Sequence, residues 1–182
     1  MVLLTKYLVE NSVLRTLRLS RNNMNLVSSP EALEAVLRSP ACALQLLDLS
    51  GNTVCGIRSM SIFDPVAITS LSRSIRDHNR TLLSLDLSCN DIGARGTRKL
   101  MDALRVNEQL HTLLLDQCNV TEHGAVHLGE ALPHLAGLRK LVVSRCLLGN
   151  EGCKVGTSRY HTYRCFAQKD TLRPIVDLGF SS

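Results

Sequence analysis

Apolar positions along the chain fall into one string, L-x-x-L-x-L-x-x-[N/C]-x-L, which occurs five times. The first copy runs through Leu14, Leu17, Leu19, Asn22 and Met24, and the second through Leu44, Leu47, Leu49, Asn52 and Val54. Leu82, Leu85, Leu87, Asn90 and Ile92 make the third; Leu110, Leu113, Leu115, Cys118 and Val120 the fourth. The fifth is Leu138, Leu141, Val143, Cys146 and Leu148. The alternating pair in each copy, such as Leu85 and Leu87, has the period of two that predicts a short strand with one buried face. Between copies the apolar period becomes helical. Leu33, Val36 and Leu37 form one such face, and Val66, Ile68, Leu71 and Ile75 a second. Gly96, Leu100, Ala103 and Leu104 form a third, and Gly124, Leu128, Ala131 and Leu132 a fourth. Ser29-Pro30-Glu31 and Asp64-Pro65 carry N-cap residues followed by proline at the first helical position. Pro133 predicts the end of the last of these helices.

The polar member of the string stands at 22, 52, 90, 118 and 146, giving separations of 30, 38, 28 and 28 residues. Its chemistry follows from the bend after each strand, which turns backbone N–H and C=O groups inward, where they need partners. An Asn side chain offers donors and an acceptor, so Asn22, Asn52 and Asn90 can join one coil to the next. Cys118 and Cys146 share that column; Cys is small, tolerates burial and has a weak S–H donor. Strand, bend, helix and return in about 28 residues predict a parallel sheet lined by helices.

These strings, LSLDLSCNDIGARGTRKLMDAL and LHTLLLDQCNVTEHGAVHLGEAL above all, resemble the leucine-rich repeat proteins of the ribonuclease-inhibitor-like class. The resemblance covers roughly residues 2–154 and singles out no particular member. It implies an α/β solenoid, a horseshoe segment with the parallel sheet on the concave side and helices on the convex side. It also implies a non-enzymatic scaffold that binds a protein partner. The alternative it carries is a GTPase-regulatory protein resembling Ran GTPase-activating protein. Some GTPase activators supply an arginine finger, and Arg58 is the residue to name for that role here.

Residues 1–154 are thus expected to form a solenoid of about five coils. The chain opens in the back half of a repeat, since Leu3, Leu4, Tyr7 and Leu8 followed by Glu10-Asn11-Ser12-Val13-Leu14 compare with Ala103 to Leu110. Solenoids need polar caps at their ends, so this start suggests a truncated product, an isoform or a piece of a longer horseshoe. Residues 155–182 depart from the pattern: no leucine occurs between Leu148 and Leu172, and four of six aromatics (Tyr160, Tyr163, Phe166, Phe180) lie there. Gly156-Thr157-Ser158-Arg159 favours a loop over a helix. The tail is expected either to fray or to act as a partial cap, with Ile175, Leu178 and Phe180 at the spacing of a sixth strand. If the edge of the fifth coil stays open, self-association through the solenoid ends is expected. The 38-residue separation exceeds the 28-residue ones by ten, and the surplus falls at the residues between Val54 and Asp64; insertions in solenoids often emerge on a binding face. Met60, Ile62 and Phe63 in this insertion either fold back on the adjacent helix or meet a partner.

Composition narrows the function classes. A chain of 182 residues with 45% hydrophobic content can bury the core of one domain. No apolar run approaches the roughly 20 residues of a membrane span, and the first ten residues lack signal-peptide organisation. Seven cysteines without a C-x-x-C pair fit a reducing, cytoplasmic location better than a disulfide framework. The net charge of +5 is scattered, with acid in the middle coils. Nucleic acid would want a basic stripe with stacking aromatics and is not expected as a partner.

Candidate chemistry gives way to simpler readings. His123 and His127 are spaced i, i+4, yet they match Arg95 and Lys99 in register, which are outer-face positions, and the string H-E-x-x-H is absent. Cys118 and Cys146 are explained by their column, and Cys89 has no histidine placed near it. Gly149-x-x-Gly152-x-Lys154 lacks the spacing of a phosphate loop. The glycosylation sequons at Asn79 and Asn119 read as chance. Neither catalytic residues nor a metal or cofactor site is indicated. What remains is the concave face, with columns Arg18, Asp48, Asp86, Leu114, Val142; then Ser20, Ser50, Ser88, Asp116, Ser144; then Arg21, Gly51, Cys89, Gln117, Arg145. The candidate partner-binding residues are Arg18, Asp48, Asp86, Asp116 and Arg145, with Met60 and Phe63 as anchors on the inserted loop.

Overall fold

A computed structural model describes residues 2–24, 30–52, 66–146, 148 and 176–177. Helix and strand alternate along it: α1 (Val2–Val9), β1 (Thr16–Arg18), α2 (Pro30–Arg38), β2 (Leu46–Asp48), α3 (Val66–Asp77), β3 (Ser84–Asp86). They continue with α4 (Gly93–Leu104), β4 (Thr112–Leu114), α5 (Thr121–Ala131), a 3-10 turn (Leu132–His134), β5 (Lys140–Val142) and β6 (Val176–Asp177). The strands form one sheet in chain order. β1 to β5 are parallel and in repeat register, with Leu17, Leu47, Leu85, Leu113 and Leu141 aligned across the five. This is the α/β repeat solenoid that the spacing predicts. β6 differs in direction: it pairs antiparallel with β5, Leu141 opposite Val176. A further coil would have placed a parallel strand there.

The core lies between sheet and helices and is built from the repeated apolar positions. Leu47, Leu85, Leu113, Leu49, Leu87 and Leu115 are wholly buried. From the helix side they meet Leu33, Val36 and Leu37 of α2, Ile68, Leu71 and Ile75 of α3, Leu100 and Leu104 of α4, and Leu128 of α5. Each such leucine contributes about 1.5–3 kcal/mol by leaving water. The first coil has a described neighbour on one side only, so its equivalents Leu14, Leu17 and Leu19 are half-buried. Tyr7 and Val13 of that coil are 73% and 77% exposed.

The Asn column joins coil to coil. Asn52 Nδ2 donates to the Leu19 carbonyl of the previous coil (2.8 Å) and to Leu49 of its own (2.9 Å). Its Oδ1 accepts from the Asn22 and Met24 amides, 3.2 and 3.0 Å away. Asn90 repeats the donor half, reaching Leu49 O (3.0 Å) and Leu87 O (2.8 Å). In the last two coils the thiols take over: Cys118 Sγ donates to Leu87 O at 3.1 Å and Cys146 Sγ to Leu115 O at 3.3 Å. Asn22 stands first in the column, and among the described residues its side chain reaches Ser20 O of its own coil (3.2 Å) and no other coil.

A second asparagine column, eleven residues upstream of the first, turns each helix into the next strand. Asn79 Oδ1 accepts from the Thr81 and Leu82 amides, and Asn107 Oδ1 from Gln109 and Leu110. Their Nδ2 groups reach across to the end of the helix of the preceding coil, Asn79 to Leu37 O of α2 (3.3 Å) and Asn107 to Ile75 O of α3 (2.8 Å). Asn79 is thereby buried, a structural reason for the first sequon. In the second coil the place is taken by Ala41, and Ser39 substitutes: its hydroxyl donates to Val9 O and accepts from the Ala41 amide. The residue before each first-column position turns through the left-handed region: Arg21, Gly51, Cys89, Gln117 and Arg145 have φ between 52° and 64°. Only Gly51 needs to be glycine on space grounds, because a Cβ there would meet Arg21 Cγ at 2.8 Å.

The column makes unequal contributions by position. Asn52→Ala leaves three backbone carbonyls (Leu19, Leu49 and Ser50) and two amides (Asn22 and Met24) without their side-chain partner and should cost about 2–4 kcal/mol. Asn22→Ala should cost less than about 0.5 kcal/mol. Urea unfolding of the two variants measures the difference, and equal losses would contradict the assignment.

Candidate functional site

Strand register fixes what the free face of the sheet presents. Side chains alternate across a strand, so with Leu17, Leu47, Leu85, Leu113 and Leu141 turned to the core, their successors point away from the helices. Arg18, Asp48, Asp86, Leu114 and Val142 therefore lie in one row, each beside the next on neighbouring strands. Asp48 Oδ1 accepts from the Ser50 amide (2.9 Å) and hydroxyl (2.7 Å). Asp86 Oδ1 accepts from the Ser88 amide (2.9 Å). These bonds hold two carboxylates side by side across β2 and β3, an arrangement in which like charges repel. The aspartates have no salt bridge among the described residues. Arg18, at the row's end, is exposed.

Asp116 and Arg145, the other two charged candidates, have each other. Arg145 forks onto the Asp116 carboxylate through Nε (3.1 Å) and Nη2, and the Ser144 hydroxyl donates to the same carboxylate. That bidentate geometry is the strong form of the pair. Asp116 holds the guanidinium more firmly protonated than usual, first through this hydrogen bond. The Gln117 amide oxygen faces Arg145 and accepts from Nη1 at 2.7 Å. Of the five charged candidates, then, Arg18, Asp48 and Asp86 share the free row, while Asp116 and Arg145 form a closed cluster toward β5. Met60 and Phe63 lie outside the described residues, as do Arg58, the Asp64-Pro65 cap and the Gly149 to Lys154 segment. Leu114 and Val142, half-buried beside Asp86, belong to the row on equal terms.

Residues 78–101 match the family described as Leucine Rich repeat, and the same register extends through five coils. The chain is a leucine-rich repeat protein. It is 31% identical over 163 residues to the human NACHT, LRR and PYD domains-containing protein 14, covering 89% of this chain and 14% of that protein. Similarity to the human NACHT, LRR and PYD domains-containing protein 13 is 34% over 148 residues, 81% of this chain and 13% of the relative. The chain thus spans about one seventh of the length of these curated relatives. The solved structure titled Leiomodin-1 Actin-Binding Site 2 (ABS2) superposes with a TM-score of 0.61 over 76% of each chain, at 16% identity, a likeness of fold.

Within the leucine-rich repeat the remaining reactive side chains have structural surroundings. Burial pushes the Cys118 thiol far above its ordinary range, and the Cys146 thiol upward, so both stay protonated donors. Cys89 is exposed on the rim, its Sγ 3.3 Å from the Gln117 amide. His123 is exposed on α5, and His127 faces Glu130 at 3.8 Å. Among the described residues no group of three metal-binding side chains occurs, and no helix is long and apolar enough to cross a membrane. Thiolate is the reactive form, so iodoacetamide at pH 8 should modify Cys89 and spare Cys118 until the chain is unfolded in denaturant. Peptide mapping by mass spectrometry reads this, and native labelling of Cys118 at the rate of Cys89 would contradict its placement.

Proposed function

We propose that this leucine-rich repeat is a non-enzymatic scaffold that binds a protein partner through its concave sheet face, with the inserted loop around Met60 and Phe63 adding contacts. A reducing, cytoplasmic setting fits the free cysteines among the described residues. The observation that carries the reading is the row itself. Arg18, Asp48, Asp86, Leu114 and Val142 stand side by side on a rigid five-strand platform, and the row brings charged and apolar side chains together. Similarity to long proteins that include LRR and NACHT segments by name supports an interaction role for a segment of this length. It leaves the partner to be found.

The test compares two faces of one molecule. Proteins captured by the full chain from cell extract should be lost with Asp86→Lys, by about tenfold or more if Asp86 is a central contact. They should be retained with Lys99→Glu, which reverses an exposed charge on the outer face of α4. Quantitative mass spectrometry of the captured proteins checks it. Retention by the first variant and loss by the second would move the site to the convex side.

A further inference from the structure

Resting on the concave-face reading, we infer that the row specifies a helical partner segment with an acidic residue at i−4, a lysine or arginine at i and an apolar residue at i+7, read in either chain direction. Three observations lead there. Asp48 and Asp86 are neighbours in register, each aimed by a serine of its own coil, and both lack a salt bridge among the described residues. One row over, the same sheet supplies Arg145 to neutralise Asp116. Where the fold supplies its own cation, the acid is structural; the acids without one call for a cation from outside. On the far side of Asp86 the row continues as Leu114 and Val142, half-buried and apolar. On the near side of Asp48 stands Arg18.

The spacing of strands then selects the partner's backbone. Adjacent strands lie about 4.8 Å apart. A cation seated between Asp48 and Asp86 is two strand spacings, about 10 Å, from an apolar group seated between Leu114 and Val142. An extended segment crossing the strands repeats a face every second residue, so its same-face side chains stand about 7 or 14 Å apart, and neither fits. On a helix, i and i+7 share a face and are about 10.5 Å apart. Arg18 lies about 7 Å from the acid midpoint in the other direction, and i−4 is about 6 Å away along the axis. A carboxylate at that position meets Arg18.

The probe is a displayed library of single-helix peptides about 20 residues long, randomised on one face and selected against the full chain. Enrichment of acid, base and apolar residue at the stated spacing is expected. The enriched peptides, made singly, should bind Asp48→Asn/Asp86→Asn at least tenfold more weakly, with circular dichroism confirming an unchanged melting curve. Peptides without the basic residue, or with affinity unchanged on that folded variant, overturn the inference. So does a selection that yields no peptide dependent on the row. Peptides weakened by Leu114→Ser alone would keep the concave reading and remove the charged part. Peptides weakened only by Lys99→Glu would remove the concave reading itself.

Discussion

Every bend after a strand turns peptide groups into a space closed to water, and the solenoid depends on answering them from the neighbouring coil. An unanswered buried amide or carbonyl costs about 1–3 kcal/mol, and the problem recurs in each of five coils. Asn52 meets it most fully, bridging Leu19 O, Leu49 O and the amides of Asn22 and Met24. Asn79 and Asn107 meet the matching problem where helix returns to strand. The apolar core supplies most of the favourable free energy, but these two columns set which coil sits against which, and in what register.

Register is what turns the repeat into a surface. Once Leu47, Leu85 and Leu113 are fixed toward the helices, Asp48, Asp86 and Leu114 are fixed on the opposite face. A slip of one residue would exchange the two sets. The concave row therefore inherits its order from buried positions, while its chemistry is free to vary without disturbing the core. That separation between a repeated interior and a variable face is the physical basis for reading the sheet as an interaction platform.

Much of this is legible in the sequence because the interior repeats. Five matching strings predict five strands, their direction and the core, since a buried position admits few residue types. The second asparagine column is harder to see: Ala41 and Leu135 interrupt it, and Ser39 does its work from two residues away. The pairing of Asp116 with Arg145 is also hidden, because the two are 29 residues apart and only the coil spacing brings them together. Spacing of Ile175, Leu178 and Phe180 carries no strand direction, so the antiparallel pairing of β6 with β5 could not be read from it. The inserted loop with Met60 and Phe63 stays an expectation for the same kind of reason: an insertion breaks the period that makes the rest readable.

The central claim is that coils hold one another through their shared columns, so that a coil flanked on both sides is more stable than one flanked on one side. Native-state hydrogen exchange measures this directly, because the bonds compared are alike. Leu19 N donates to Asp48 O at 2.8 Å, Leu49 N to Asp86 O at 2.9 Å and Leu87 N to Leu114 O at 3.0 Å. The account predicts that the Leu49 and Leu87 amides exchange at least ~100-fold more slowly than that of Leu19. Equal protection across the three, or greatest protection at Leu19, would contradict it.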